Sequence, residues 1–273
     1  MKQMNILVTC DSGYAKQAAL MLYSLQRTQP DYFLNIYAVG VLGEKDLALM
    51  ERALDKDRAV IKRVSYDPTM LKNAPVTDRY PIEMYYRIFA ARYLPEDLDR
   101  VLYLDPDVTV IRSLAELYEM DLGDAFFAAA SHVKEATLLE KVNQARLDMN
   151  GIYINSGVLL MNLKTLRKEQ RMEEIADYIK KKGTMLFLPD QDIISALYSD
   201  RIIPVDPMKY NMTERLYTFG HVKGMQTEWV WRNSCIIHYC GKNKPWKPGY
   251  LGKLDAFYLG NLLAWEQAKE GKA

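Results

Sequence analysis

Two aspartates close the apolar run "VLYLDPDVTV" (101–110): Asp105 and Asp107. Carboxylates are costly to bury unless something pairs with them. In an extended chain, residues i and i+2 point to the same side, so the pair could converge on one cation. Oxygen ligands suit Mg²⁺ or Mn²⁺, and hard divalents held by paired carboxylates usually also hold phosphate. Taken alone, the same pattern is also an ordinary strand end with two solvated aspartates in a turn.

A second stretch favours the metal reading. In "IIHYCGKNKPWKPG" (236–249), His238 ends an apolar run and is followed by Gly241, Lys244 and Trp246. A glycine lets backbone N–H groups approach an anion closely. A lysine adds a point charge suited to a diphosphate. His238 could complete a shell with Asp105 and Asp107, and one imidazole among oxygens moves the preference from Mg²⁺ toward Mn²⁺. A rival chemistry exists: "DPDVTV" fits the pattern of haloacid-dehalogenase-type phosphatases, with Asp105 as nucleophile and Asp107 as acid/base. That motif normally ends the first strand of its core, whereas here it lies well into the chain.

The elements that must carry these residues alternate from the start. "NILVTC" (5–10), "LNIYAVG" (34–40) and "AVIKRVSY" (59–66) read as buried strands. Between them, 14–29 and 44–57 have apolar residues at helical spacing. This βαβαβ order with continuous apolar strands predicts a parallel sheet covered by helices on both faces. Pro68, Pro75 and Pro81 predict a loop over 67–81, of a length at which loops tend to be functional. A helix over 82–94 follows, then strands at 101–105, 125–131 and 156–163, with a helix over 135–147. The periodicity predicts one continuous helix over 166–182, ended by Gly183, and a short helix over 190–199 with Asp190 as its N-cap. Beyond 207 the pattern dissolves until "CIIHYCG" (235–241).

The 273 residues, 49% hydrophobic and 26% charged, are enough for one large α/β domain. With 36 Lys+Arg against 35 Asp+Glu, the balanced charge argues against a nucleic-acid partner bound through a broad basic field. Three cysteines without a CxxC point to free thiols in a reducing compartment. The first apolar run is too short for a signal peptide, and no segment approaches the ~18–20 apolar residues of a membrane span. The expectation is a single cytoplasmic domain over 1–273, with 1–110 mainly a nucleotide-binding half and 111–273 a second half. Oligomeric state leaves no mark in the sequence.

Six motifs then carry a resemblance: "VTCDSGY" (8–14), "YYRI" (85–88), "VLYLDPDV" (101–108), "INSGVLLMNL" (154–163), "PDQDI" (189–193) and "HYCGKNKPW" (238–246). In this order they resemble glycosyltransferase family 8, in its bacterial lipooligosaccharide galactosyltransferase branch, with glycogenin more distant. The resemblance implies a GT-A fold, a Rossmann-like, mostly parallel sheet flanked by helices with a C-terminal acceptor and lid region. It implies transfer of galactose or glucose from a UDP-sugar, with retention and with Mn²⁺, to a hydroxyl of a glycan, lipid-linked or protein-linked acceptor.

By resemblance, Thr9, Asp11 and Tyr14 line the uridine pocket. Asp105, Asp107 and His238 hold the metal, and Gly241 and Lys244 meet the diphosphate. Arg87, Asn155 and Ser156 contact the donor, while Asp190 and Gln191 lie beside the anomeric carbon. An amide is a poor nucleophile, so the reading prefers front-face attack, with Gln191 stabilising positive charge on the sugar. A non-catalytic nucleotide-sugar binder is the alternative from another class. Two departures stand out. His132 occupies a position usually acidic in related enzymes, and Gly13 replaces a polar residue. The C-terminal "AWEQAKEGKA" offsets Lys269 and Lys272 with Glu266 and Glu270, which predicts at most weak peripheral association with the inner membrane face.

Overall fold

The structure, a computed structural model, describes residues 1–66, 83–133 and 138–270. In chain order, β1 (Lys2–Thr9), α1 (Ala15–Thr28), β2 (Tyr32–Val39), α2 (Glu44–Arg52) and β3 (Ala59–Val64) form the expected βαβαβ unit. The helix expected to reach residue 57 stops at Arg52. The amide of Gln26, on α1, accepts from the backbone N–H of Asp55 at 2.8 Å and donates to its carbonyl at 3.1 Å, which holds the chain in a turn. The loop expected over 67–81 lies outside the described residues.

Next come α3 (Glu83–Tyr86), α4 (Ala90–Tyr93), β4 (Arg100–Leu104), β5 (Val108–Val110), α5 (Ala115–Tyr118), β6 (Phe127–Ala130) and α6 (Leu138–Leu147). The helix expected over 82–94 is broken. A 3₁₀ turn at Arg87–Phe89 separates α3 from α4 and turns Arg87 into the interior. Then follow β7 (Val158–Asn162), α7 (Leu163–Glu169), α8 (Met172–Lys182), α9 (Pro189–Tyr198) and β8 (Ile202–Val205). The single helix expected over 166–182 is two helices. Gln170 is buried at the break, its amide donating to the Ile88 carbonyl at 2.9 Å while Arg92 donates to its backbone carbonyl. That tertiary bond overrides a local pattern that favours continuity.

The region after 207, where the pattern dissolves, is helical: α10 (Pro207–Tyr210), α11 (Glu214–Val222) and α12 (Thr227–Asn233) precede β9 (Ile236–His238). The last element, α13 (Asp255–Glu270), returns to α1. Asn261 donates to the Leu20 carbonyl at 2.9 Å, Tyr23 donates to the Ala264 carbonyl at 2.9 Å, and Trp265 is buried.

Seven strands form one sheet in the order β3-β2-β1-β4-β7-β6-β8. All neighbouring pairs are parallel except those of β7, which runs antiparallel to β4 and to β6. Successive residues of β1 feed opposite cores. Met4, Ile6 and Val8 join α1, α2 and α13 on one face, and Leu7 joins the 85–94 segment, α7, α8 and α9 on the other. This two-sided burial is why β1, β2 and β4 read as unbroken apolar runs; β3, expected to be buried, is instead the edge strand, and most of its residues are exposed or half-buried.

A separate two-stranded sheet pairs β5 with β9, with Val108 opposite His238. The register places His238 next to Asp107, and the Tyr239 N–H donates to the Asp107 carbonyl at 3.0 Å. The short strand β5 after the aspartates has no counterpart among the expected strands, the nearest of which ends at residue 105. It is the element that joins the two motifs. Among the described residues, no helix is long and apolar enough to cross a membrane.

Candidate active site and metal centre

Asp105 follows the last residue of β4 and Asp107 precedes β5, so both hang from a tight turn at Pro106. One ligand atom from each of Asp105, Asp107 and His238 lies within 4.8 Å of the others. His238 Nε2 is 3.2 Å from Asp107 Oδ1 and 3.7 Å from Asp105 Oδ2. Asp107 Oδ1 is buried and accepts no hydrogen bond. Gly157 closes the cradle. A Cβ built there falls 2.3 Å from His238 Cε1 and 2.5 Å from Asp105 Oδ2. Two carboxylates and an imidazole around a buried, unsatisfied oxygen fit a divalent ion of the Mg²⁺/Mn²⁺ class.

Lys244 forms an ion pair with Asp107 Oδ2 and donates to the Tyr239 carbonyl at 2.6 Å. Burial pushes the Asp107 carboxyl upward, but His238, when its ring is protonated, and Lys244 outweigh it and hold the group below the usual carboxylate range. Tyr14 lies alongside, its ring edge-on to Trp246 at 6.3 Å. Burial raises the Tyr14 phenol, Lys244 opposes that, and Asp107 and Asp105 add to it.

Beneath the metal cradle, Arg87 joins two carboxylates. Its guanidinium is 3.0 Å from Asp105 Oδ1 and 3.1 Å from Asp190 Oδ2, and it donates to the Ser156 carbonyl at 3.1 Å. It also stacks on Tyr103, 4.3 Å from the ring centre. Tyr103 donates to Asp105 Oδ1 at 2.5 Å and meets the Thr9 hydroxyl at 3.2 Å. Asp190 is not the N-cap expected of it: the helix begins at Pro189, Leu188 is its N-cap, and no side chain caps it. Asp192 Oδ2 accepts from the N–H groups of Phe187 and Leu188, just upstream, at 2.7 and 3.2 Å, and Arg146 grips the carboxylate from the side. Asp190 faces Arg87 and accepts from the Ser156 hydroxyl at 2.7 Å. Burial raises the Asp190 carboxyl, with Arg87 acting against it.

A chain of amides links this floor to the metal cradle. Asn155 donates to Gln191 Oε1 at 3.1 Å and accepts from Asn211 at 2.9 Å, and Asn211 meets His238 Nδ1 at 2.8 Å. His132 Nε2 is 2.9 Å from the Asn211 carbonyl. Burial, with His238 adding to it, pushes the His132 ring down to about 4.

Of the thirteen residues singled out, the structure gathers Asp105, Asp107, His238, Lys244, Arg87, Asp190, Ser156, Asn155 and Gln191 into one connected network. Thr9 joins it through Tyr103, and Tyr14 lies at its edge. Two stand apart: the Asp11 carboxylate caps a 3₁₀ turn through the Tyr14 N–H at 3.2 Å, and Gly241 sits with φ +83 and open space around its Cα. Sequence reasoning missed Tyr103, Gly157 and Asn211. Tyr103 reads as one more strand aromatic, and Gly157 lies unremarked inside a quoted motif. Asn211 belongs to the stretch where the pattern fails, so no local signal marks it. Asp105 follows the fourth strand, not the first, and Arg87 and Tyr103 hold its carboxylate. The phosphatase reading therefore has no geometric support.

A mostly parallel α/β sheet with two carboxylates and a histidine gathered where β4 meets the separate β5–β9 pair, above a closed polar floor, is the layout of a GT-A glycosyltransferase. The sequence profile of glycosyl transferase family 8 matches residues 5–248. A lipopolysaccharide 1,2-glucosyltransferase of Escherichia coli is 28% identical over 94% of this chain and 77% of its own length. General stress protein A of Bacillus subtilis is 26% identical over 89% of this chain and 87% of its own length. Among solved structures, the galactosyltransferase LgtC in complex with donor and acceptor sugar analogues superposes with a TM-score of 0.79 at 23% identity, covering 96% of both chains. This chain belongs to glycosyltransferase family 8.

Proposed function

We propose that this glycosyltransferase transfers a hexose from a UDP-sugar to a hydroxyl of a glycan or glycoconjugate, with retention and with Mn²⁺ (or Mg²⁺) held by Asp105, Asp107 and His238. The observation that carries the reading is the buried Asp107 Oδ1, which lacks a hydrogen bond although two other ligand-type side chains surround it. The ion, when bound, neutralises charge on the departing diphosphate. Lys244 supplies a further charge at the same place. Its present partner, Asp107, is a carboxylate that a divalent ion would neutralise, which frees the ammonium for the diphosphate. Tyr14 and Trp246 offer aromatic edges for the base, with Thr9 and Asp11 beside them.

Arg87, Asp190 and Ser156 form the floor that orients the sugar. Asp190 Oδ1 is buried without a hydrogen-bond donor and is placed to accept one from a sugar hydroxyl. Gln191 Oε1 already accepts from Asn155 and, at 3.4 Å, from the Ser156 N–H. Two donors withdraw electron density from an amide oxygen that is a weak nucleophile at best. This favours front-face attack by the acceptor, with Gln191 stabilising positive charge, over a covalent intermediate. The name of the Escherichia coli relative supports glucose and a lipopolysaccharide acceptor, whereas LgtC is named a galactosyltransferase. The two sugars differ in the orientation of one hydroxyl, which the Asp190–Asn155 floor must read.

The acceptor side is assigned to a cleft of about 700 Å³ between His132 and the α11–α12 segment, lined by Phe219, Met225 and Trp229 with Arg215 and Lys223 at its edge. Within the chain, 1–110 would serve mainly the nucleotide and 111–273 the sugar and acceptor. The test is calorimetric titration of UDP with and without Mn²⁺, followed by hydrolysis assays over a panel of UDP-sugars. Metal-dependent UDP binding and slow hydrolysis of one hexose donor are expected. UDP binding indifferent to metal would sink the proposal, and metal-dependent binding with no turnover of any donor would favour a pure binder.

A further inference from the structure

We infer that Asn211 is a positioning residue that fixes the tautomer of His238, and that the backbone N–H of Gly157 sets its orientation through Asn155. The argument uses only which atoms can donate. A backbone N–H donates and never accepts. The Gly157 N–H lies 3.2 Å from one side-chain terminus of Asn155, so that terminus is Oδ1. Asn211 approaches the same oxygen at 2.9 Å and must present its NH₂ group there. The other terminus of Asn211 is therefore its oxygen, and it lies 2.8 Å from His238 Nδ1. An amide oxygen only accepts, so Nδ1 carries the proton. The neutral ring then has its lone pair on Nε2, which faces Asp107 Oδ1 at 3.2 Å and Asp105 Oδ2 at 3.7 Å.

The opposite end of the chain is fixed in the same way. The Ser156 N–H, 3.4 Å away, identifies Gln191 Oε1 as the acceptor of the Asn155 NH₂. Two backbone N–H groups, at Ser156 and Gly157, thus assign three amides and one imidazole. Burial keeps water from competing: Asn211 is 0% exposed and His238 is 2% exposed. The segment holding Asn211 is itself tied to β9, since the His238 N–H donates to the Met212 carbonyl at 2.7 Å and the Met212 N–H to the Ile236 carbonyl at 3.0 Å. The ring and the amide that orients it move as one unit.

A metal-ligating histidine usually donates its other N–H to a carbonyl or carboxylate, and losing that partner typically weakens metal affinity 10–100-fold. The same relay runs on to Gln191, so the amide beside the sugar floor and the metal ligand share one hydrogen-bond polarity. Inverting one link would leave two oxygens or two NH₂ groups face to face, which is costly in a buried site.

Nitrogen NMR of the metal-free protein at alkaline pH tests the assignment without a metal or donor, so its outcome is separate from that of the proposed transferase activity. The expected result is a single His238 tautomer with the proton on Nδ1 and bare Nε2; a proton on Nε2 overturns the inference. Asn211→Leu should mix the tautomers and weaken Mn²⁺ binding 10–100-fold, read from the free-Mn²⁺ electron paramagnetic resonance signal. Asn211→Asp loses its bond to Asn155 Oδ1 and sets a second oxygen against it, which costs stability, but it keeps an acceptor for Nδ1–H and should retain that tautomer. If Asn211→Leu does not fold, loss of the Nδ1–H tautomer in Asn211→Asp refutes the proposal by itself.

Discussion

Gly157→Ala isolates the metal cradle with one methyl group. The backbone of Gly157 lies against both metal-facing side chains, and its carbonyl accepts from the Asp105 N–H at 2.8 Å. An added Cβ would sit 2.3 Å from His238 Cε1, about 1 Å inside the 3.4 Å at which ordinary contact begins. Neither neighbour can yield cheaply. Asn211 holds the imidazole at Nδ1, and Arg87 and Tyr103 hold the Asp105 carboxylate. Overpacking of this kind typically costs about 1–3 kcal/mol of folding stability. In a domain of this size that lowers the melting temperature by roughly 2–4 °C per kcal/mol. The larger effect should fall on the ion. Metal–ligand distances tolerate about ±0.2 Å, so a shift of about 1 Å removes a ligand. Manganese titration of the folded variant should therefore show affinity reduced by about 10–100-fold or more. A variant with wild-type Mn²⁺ affinity and an unchanged melting temperature would falsify the cradle geometry.

Arg87→Met should be strongly destabilising in chemical denaturation, by about 3–5 kcal/mol, because Asp105 and Asp190 lose their shared counter-charge; a loss under about 1 kcal/mol would contradict this account of the floor. His132 gives a pH signature. Its folded value is depressed from 6.5 to about 4, so the unfolded chain takes up the proton first, and stability falls as pH drops from 6.5 toward 4. His132→Gln should flatten that slope, by up to about 3 kcal/mol across the window, and an unchanged pH–stability curve would show that the ring is not held neutral. Lys244→Met should weaken UDP binding at least about 10-fold, the loss of one charge-assisted contact, while leaving Mn²⁺ affinity unchanged or tighter. Calorimetry separates the two, and wild-type UDP affinity would rule Lys244 out of the diphosphate site.

The strands that build the sheet were legible because both of their faces are buried, so β1, β2 and β4 appear as plain apolar runs. The clustered motifs were legible because their polar residues interrupt apolar runs: Asp105, Asp107 and His238 stand where such runs stop, and the structure brings them together. Legibility failed where a tertiary contact overrides a local pattern. Nothing near Gln170 signals that a carbonyl from another segment will end its helix. Asp190 reads as a helix cap in the sequence, and only Arg87, distant in the chain, shows that its carboxylate serves the floor instead. Asn211 is invisible for a similar reason, since its function depends on hydrogen-bond directions set by Asn155 and Gly157. Arg87 was selected by resemblance, but its burial on a 3₁₀ turn could not be read from helical periodicity.

The pairing of β5 with β9 also bears on how the chain is made. Lys244 and Asp107 are separated by 137 residues, and the strand carrying His238 can dock only after that stretch has been synthesised. At about 5–20 residues per second, Asp107 would wait on the order of ten seconds or more for its basic partners, whereas Arg87 is made before Asp105. During that interval Asp107 is an unpaired acid on a forming sheet, and the nascent chain holds only an incomplete cation site. Docking of β9 supplies the histidine and the lysine together. A chain cut short before residue 238 would lack the third corner of the cluster and also α13, whose Tyr258 and Trp265 are buried in the core shared with α1. Competence is coupled to completion of the polypeptide.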